Sequence, residues 1–159
     1  MKFIMKKLGK FIFNACFVVG VAMAVGMTAI VTSNIVARYF FNYALSWAEE
    51  VARYMMIWLV MLGAAMGVRE GIHFRMEMVE HWVGPKLKTM LSLATQVVFG
   101  IIGFLLVWQG IILVKLTNFQ YATATQMPMS WVYVSLPVSG FLMIFFVIER
   151  WISVYRNNY

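Results

Sequence analysis

Four long stretches without interior charge constrain the fold of this chain more than any other feature. They cover residues 11–37, 47–68, 89–114 and 131–148, and the second carries charges only in its first two turns. A helix needs roughly 20 apolar residues to cross about 30 Å of hydrocarbon, so each stretch has about the required length. Only 12% of the residues are charged, whereas soluble domains carry about 25%. The sequence therefore predicts an all-α integral membrane protein with four transmembrane helices, folded as a single membrane domain over residues 1–159.

The segment between the second and third stretches predicts a helix of a different kind. On a helical wheel of residues 72–83, His73, Glu77, Glu80 and His81 fall on about one third of the circle, and mostly apolar side chains fill the rest. A Gly-Pro pair then ends the pattern. The pattern favours an amphipathic interfacial helix in the central cytoplasmic loop. Packing of its apolar face on a partner protein explains the pattern equally well.

The start of the second stretch concentrates charge next to hydrocarbon, which costs free energy unless the charge has a partner. Ser46 and Glu49 have the spacing of a capping box, which satisfies free amides at a helix N-terminus. Arg53 follows Glu49 by four residues and Glu50 by three, within side-chain reach on a helix. Two interpretations stay open: an ion-paired helix end complete in itself, or a cluster that pairs with charges on another subunit.

The distribution of basic residues predicts the orientation in the membrane, because cytoplasmic loops are enriched in Lys and Arg. With four spans, ten basic residues fall on one side and three on the other. The ten are Lys2, Lys6, Lys7, Lys10, Arg69, Arg75, Lys86, Lys88, Arg150 and Arg156, and the three are Arg38, Arg53 and Lys115. The sequence thus predicts a multi-pass membrane protein with both termini in the cytoplasm and Glu49, Glu50 and Arg53 facing the opposite side of the membrane.

Two residue types predict contacts with lipid and between helices. Tryptophans near the ends of the spans are expected to anchor the chain at the membrane interfaces; they are Trp47, Trp82, Trp131 and Trp151. Gly63 and Gly67 have the four-residue spacing that lets helix backbones approach closely. Pro137, early in the fourth stretch, is expected to kink its helix.

The chain lacks the residues that several functions require. Its two histidines, His73 and His81, belong to the same interfacial segment, which argues against a haem or quinone anchor and against a metal site. The predicted spans contain no ionisable residue at depth, which a proton-coupled exporter needs. Basic residues at the ends of apolar stretches follow membrane topology and do not indicate nucleic acid. We therefore expect no enzyme activity and no cofactor, and an accessory subunit rather than a complete carrier.

An ordered set of motifs resembles a known family. The motifs are Arg38-Tyr39-x-Phe41-Asn42, Ser46-Trp47-x-Glu49-Glu50-x-x-Arg53-Tyr54, Gly63-x-x-x-Gly67 and Arg69-Glu70-x-x-His73, followed by Met127-Pro128-Met129-Ser130-Trp131-Val132-Tyr133 and Leu136-Pro137-Val138. The likeness covers roughly residues 30–149, and the chain resembles the small membrane subunit, of the Q or DctQ type, of tripartite ATP-independent periplasmic (TRAP) transporters. The resemblance implies a place in the bacterial inner membrane, where the side opposite the cytoplasm is the periplasm.

The resemblance implies a function for these residues. The small subunit would bind a large membrane subunit that carries the substrate and sodium sites, and a periplasmic substrate-binding protein would dock on the complex. Sodium-driven uptake of organic acids would follow, with this chain as a fixed scaffold. Arg38, Glu49, Glu50 and Arg53 would fix helices or dock a partner on the periplasmic side, and Arg69 and His73 on the cytoplasmic side. The alternative from another class is a self-associating four-helix exporter or pore.

Overall fold

The computed structural model describes residues 2–70 and 85–155, and it contains five helices in these ranges. They are α1 (Lys2–Phe41), α2 (Ser46–Glu70), α3 (Pro85–Thr117), the short α4 (Ser130–Tyr133) and α5 (Ser135–Tyr155). Four helical segments are long and apolar enough to cross a membrane: Lys7–Phe41, Ser46–Glu70, Leu93–Thr117 and Ser130–Ile152. The prediction of an all-α protein with four membrane-spanning helices is therefore confirmed. The predicted interfacial helix at residues 72–83 lies outside the described residues.

The long helices are arranged in the order α1, α2, α5, α3. The helix α2 packs against α1 on one side and α5 on the other, and α5 packs in turn against α3. This order places α2 and α5 inside the bundle and α1 and α3 at its edges. One end of the bundle holds the start of α1 and the ends of α2 and α5, and we call it the terminal end. The other, which holds the α1–α2 turn and the α3–α4 loop, is called the loop end.

The best-buried contacts lie between α2 and α5 near the terminal end. Phe146 and Ala65 are fully buried there beside Val68 and Met143. Ile12 and Phe13 of α1 pack against the same cluster, so α1 approaches α5 at this end. In a bilayer such packing is driven by close fit, because lipid is as apolar as the side chains.

The helices α3 and α5 approach each other most closely where both lack side-chain bulk. A Cβ atom built on Gly140 would lie 2.6 Å from the carbonyl oxygen of Gly103, and one built on Gly110 would lie 2.6 Å from Cδ of Pro137. No alanine fits at such distances without movement of a backbone. These glycines, unlike the open Gly63, lie where two helix backbones approach closely.

The fourth span is interrupted near its start, as the position of Pro137 predicts. The short helix α4 ends at Tyr133, and α5 begins at Ser135. The ring of a proline clashes with the carbonyl four residues before it, which here belongs to Tyr133. The interruption is one residue long, and Val134 keeps helical dihedral angles, with φ of −58° and ψ of −25°.

Candidate functional site

At the loop end, the carboxylate of Glu50 binds the tip of the α3–α4 loop. Oxygen Oε1 accepts hydrogen bonds from the amide of Thr123 (3.0 Å) and its hydroxyl (2.9 Å). Oxygen Oε2 accepts from the amide of Thr125 (2.8 Å) and its hydroxyl (2.9 Å). The amide of Ala124 lies between the two oxygens, at 3.2 and 3.3 Å. We call Glu50 with Thr123, Ala124 and Thr125 the loop clamp.

The loop is shaped to present these donors. Tyr121 and Pro128 form an isolated antiparallel bridge, and the amide of Met129 donates to the carbonyl of Gln120 at 2.8 Å. Gln126 takes a left-handed conformation with φ of 54°, and its side-chain amide donates to the carbonyl of Thr123 at 3.1 Å. Consecutive amides in such a turn form a concave anion site. An anion from α2 fills it, so the clamp ties the loop to the second span.

The helix α2 does not begin with the capping box that its sequence suggests. It starts at Ser46 itself, and in the described part of the chain neither Ser46 nor Glu49 forms a capping side-chain hydrogen bond. The side-chain oxygen of Asn34, on α1, instead accepts the amide of Leu45 at 2.9 Å. Asn42 ends α1 in a left-handed conformation with φ of 49°, which asparagine adopts more readily than most residues. The cap thus comes from another helix.

The other charged residues predicted at this end form no ion pair in the part of the chain that the structure describes. Glu49 and Arg53 are exposed on α2, and Arg38 is exposed in the last turn of α1. Within residues 2–70 and 85–155, Arg53 forms no ion pair within 4.0 Å of Glu49 or Glu50. The four charges therefore separate into one carboxylate held by the loop, that of Glu50, and three groups that form no ion pair in the described part of the chain. A docking role for Arg38, Glu49 and Arg53 stays a prediction.

At the terminal end, Arg69 of α2 pairs with Glu149 of α5, and we call these two residues the terminal ion pair. Nε of Arg69 lies 3.1 Å from Oε2, and Nη2 lies 3.3 Å from Oε1. The side chains keep only 22% and 11% of their exposure. The guanidinium also lies 5.0 Å from the ring centre of Phe13 and 5.7 Å from that of Phe146, within cation–π range.

The terminal ion pair also involves α1. Gly9 is buried, and any Cβ atom at this position would collide with the carboxyl group of Glu149. The pair thus holds three helices together: α1 through Gly9 and Phe13, α2 through Arg69 and α5 through Glu149. A two-point Arg–carboxylate contact fixes relative orientation as well as distance. His73, predicted to act at the same end, lies outside the described residues.

The other predicted residues differ in their surroundings. Trp47, Trp131 and Trp151 are 44%, 68% and 48% exposed near helix ends, as interfacial anchors are expected to be, whereas Trp82 lies outside the described residues. Gly67 is buried, but Gly63 is exposed, and a Cβ atom there would meet nothing within 4 Å. Gly63 therefore makes no helix contact within the described part of this chain.

Sequence reasoning missed the partners of both clusters. Glu149 is the one acidic residue near the end of the fourth span, a signal that could have suggested a pair with Arg69. Thr123 and Thr125 had no distinguishing signal, because short runs of threonine and alanine are common in loops. Gly9 and Asn34 also gave no signal, since their roles depend on which helix lies beside them.

The clusters at the two bundle ends and the crevice beside them define a class of protein. In the described ranges, charged groups lie at the two ends of the bundle, and both clusters join parts of the chain to one another. A crevice of about 280 Å³ near the loop end is lined by Met23, Val51, Tyr54, Met55, Trp58, Met127, Pro128, Trp131 and Val132. This lining offers no charged group to an ionic substrate. The class is a multi-pass membrane protein whose two bundle ends are held by internal polar contacts.

Comparison with known proteins identifies the family. The model of the DctQ component of tripartite ATP-independent periplasmic transporters matches residues 27–157. A TRAP transporter small permease protein of Haemophilus influenzae is 28% identical over 149 residues, 94% of this chain and 92% of that protein. The sialic acid small permease SiaQ of Vibrio cholerae is 26% identical over 154 residues, 92% of this chain and 84% of that protein. The chain belongs to the DctQ family of TRAP small permease subunits, which are membrane components of transporters and not enzymes.

One relative has a different length. The sialic acid TRAP permease SiaT of Haemophilus influenzae is 24% identical over 130 residues, which are 82% of this chain but 21% of SiaT. Small and large permease parts are thus joined in one chain there. The partners of this subunit are a large permease subunit and the substrate-binding protein of the TRAP system, and its place is the bacterial inner membrane.

Proposed function

We propose that this chain is the fixed scaffold of a sodium-driven TRAP transporter that takes up an organic acid. The proposal rests on the internal contacts at both ends of the bundle, which are the loop clamp at one end and the terminal ion pair at the other. A subunit that moves during transport needs contacts that break and re-form, whereas these contacts are multiple, short and internal. The large permease subunit would then supply the moving parts and the substrate and sodium sites.

The distribution of charge within the bundle supports these separate roles for the scaffold subunit and the large permease subunit. Secondary transporters place substrate and ion sites near the middle of the membrane, on broken helices or ionisable residues. The interruption in this chain lies at Val134, beside the loop end, and carries no charged group. The resemblance to TRAP subunits implies sodium coupling, and we assign the ion to the large subunit.

The names of several relatives support a proposal for the class of substrate. Proteins similar to this chain are named for sialic acid, C4-dicarboxylates and isethionate. All three are organic acids that are anions at neutral pH. We propose an organic anion for this system too, recognised by the binding protein and the large permease rather than by this chain.

For orientation, we propose that the terminal end faces the cytoplasm and the loop end the periplasm. Ten basic residues lie on the side of the termini and three on the opposite side, which supports this assignment. Glu49, Arg53 and Arg38 would then lie on the periplasmic side, and Arg69 on the cytoplasmic side. Cysteine labelling from outside intact spheroplasts tests it: a cysteine at Thr123 should react with an impermeant maleimide, and one at Lys7 should not.

Reconstitution tests the function. The large permease, with and without this chain, is placed in proteoliposomes, and uptake of radiolabelled organic acids is measured with the binding protein and an inward sodium gradient. We expect uptake with both permease subunits and loss of uptake when this chain or the gradient is omitted. Uptake by this chain alone, without the large subunit, would instead support the self-associating exporter or pore.

A double variant tests the proposed role of the charged helix end. Glu49→Gln with Glu50→Gln should weaken assembly or uptake. The two single variants then show which of the two carboxylates is responsible. Glu50→Gln removes the anion from the loop clamp, whereas Glu49→Gln changes a group without an ion pair in the described part of the chain. Glu70→Gln, an exposed carboxylate at the other end of the same helix, is the matched control. Normal assembly and uptake in the double variant would contradict the proposed role.

A further inference from the structure

The exposed residues of α2 form a single narrow stripe. After Trp47, the exposed positions of this helix are Glu49, Arg53, Met56, Val60, Gly63 and Glu70. The first five are spaced by four, three, four and three residues. This is the 3.5-residue repeat of a helix face that packs along another helix. Met56 and Val60, in its middle, are 49% and 53% exposed.

The neighbouring helices α1 and α5 contact other sides of α2 and do not cover the stripe. Met55 and Met66 point toward Gly26 and Gly20 of α1, and Met61 accepts a hydrogen bond from Ser139 of α5. On a helical wheel, the stripe lies outside the arc between these two directions. Because α1 and α5 flank α2, the uncovered strip has about the width of one helix.

The chemistry of the stripe is unlike a surface that meets lipid. It carries an anion and a cation, Glu49 and Arg53, in the first two turns of a membrane-spanning helix, where unpaired charge is costly. It also carries Gly63, around which a Cβ atom would meet nothing within 4 Å. Glycine weakens a helix relative to alanine, so an open glycine here fits close approach by another backbone.

We infer that the α2 stripe is the surface on which a transmembrane helix of the large permease subunit docks, an inference that rests on the proposed function. The docking helix carries a cation opposite Glu49 and an anion opposite Arg53, both near its periplasmic end, and its backbone approaches α2 closely at Gly63. Charge complementarity fixes its register, and packing over Gly63 fixes its distance. The large permease is the occupant because related chains join both parts covalently.

Photo-crosslinking tests the inference in membranes of cells that express the complete transporter. Benzoylphenylalanine is placed at Val60 and, as controls of similar exposure, at Val25 of α1 (64%) and Phe104 of α3 (55%). We expect an adduct with the large permease at Val60 at a yield at least about tenfold above both controls. An equal or higher yield at either control, or adducts at Val60 with lipid or a second copy of this chain alone, would overturn the inference.

A pair of glycine variants adds a second readout. Gly63→Leu and Gly100→Leu both introduce a side chain where a Cβ atom meets nothing within 4 Å, so neither should disturb the fold of this chain. We expect Gly63→Leu to lower the amount of large permease that copurifies by at least about tenfold, roughly a 1.4 kcal/mol loss, and Gly100→Leu to leave it unchanged. Unchanged copurification in both variants would overturn the inference.

The two proposals fail in different ways. If the unaltered chain copurifies with the large permease but Val60 gives no adduct with it, the docking face is wrong and the scaffold function stands. If the unaltered chain does not copurify with the large permease, both are wrong.

Discussion

The terminal ion pair makes the most quantitative prediction, because its geometry separates two kinds of substitution. Arg69 and Glu149 share two short contacts and keep 22% and 11% of their side-chain exposure. Removing one member of a buried pair costs about 3–5 kcal/mol, because the other charge stays without a partner. With the residual exposure of this pair, we expect Glu149→Met or Arg69→Met to lower the free energy of unfolding by about 2–3 kcal/mol.

Replacing both members should cost much less than the sum. The variant with Arg69→Met and Glu149→Met leaves no buried charge, and apolar side chains of similar volume often substitute for such a pair at little cost. We expect the double variant to lose no more than about 1 kcal/mol, chiefly the cation–π contacts of Arg69 with Phe13 and Phe146. The coupling between the two sites should then be at least about 3 kcal/mol.

Equilibrium unfolding in mixed detergent micelles measures all three variants against the unaltered chain. Glu70→Met is the matched control, because Glu70 neighbours Arg69 in sequence but is exposed, and it should change stability by less than about 0.5 kcal/mol. Additive losses, or single losses no larger than that of the control, would refute the reasoning that the pair is buried and mutually dependent.

Three further predictions concern single positions. Glu50→Gln should speed amide hydrogen exchange at Thr123, Ala124 and Thr125, which lose a charged acceptor, whereas Glu49→Gln should leave exchange there unchanged; equal effects would contradict the loop clamp. Gly140→Ala should destabilise the chain by about 1–3 kcal/mol in the same unfolding assay, since its Cβ atom would collide with the backbone at Gly103. The control, Gly100→Ala, should be neutral or slightly stabilising. Asn34→Ala should cost about 1 kcal/mol through loss of the bond to Leu45, and it would contradict the cap if the exchange rate of that amide did not rise.

The sequence alone predicts the features that depend on local composition. Four apolar stretches predict four membrane-spanning helices, because only a helix satisfies its own backbone hydrogen bonds in lipid. Pro137 predicts a kink early in the fourth span, since proline lacks an amide proton. The ordered motifs also suffice for the family, which the match over residues 27–157 confirms.

Contacts that require a neighbour depend on how the helices pack. From sequence, the charges at Glu49, Glu50 and Arg53 leave two interpretations open, an ion-paired helix end or a cluster that pairs with another subunit, because helix spacing brings them within reach of one another. In the described structure, Glu50 turns instead to the loop between the third and fourth spans, and no spacing within α2 reports where that loop lies. Gly63 and Gly67 suggest a packing face, yet one of them is open and the close approach occurs at Gly103 and Gly140.

The sequence by itself thus determines what crosses the membrane, how many times, and to which family the chain belongs, because hydrophobic length and motif order are properties of the linear chain. Tertiary structure alone decides which charges are satisfied internally and which remain open. Glu149 becomes the partner of Arg69 and Glu50 the ligand of the loop because helices distant in sequence pack side by side. Among the described residues, Glu49 and Arg53 form no ion pair for a corresponding reason: they face the side of α2 that neither α1 nor α5 covers.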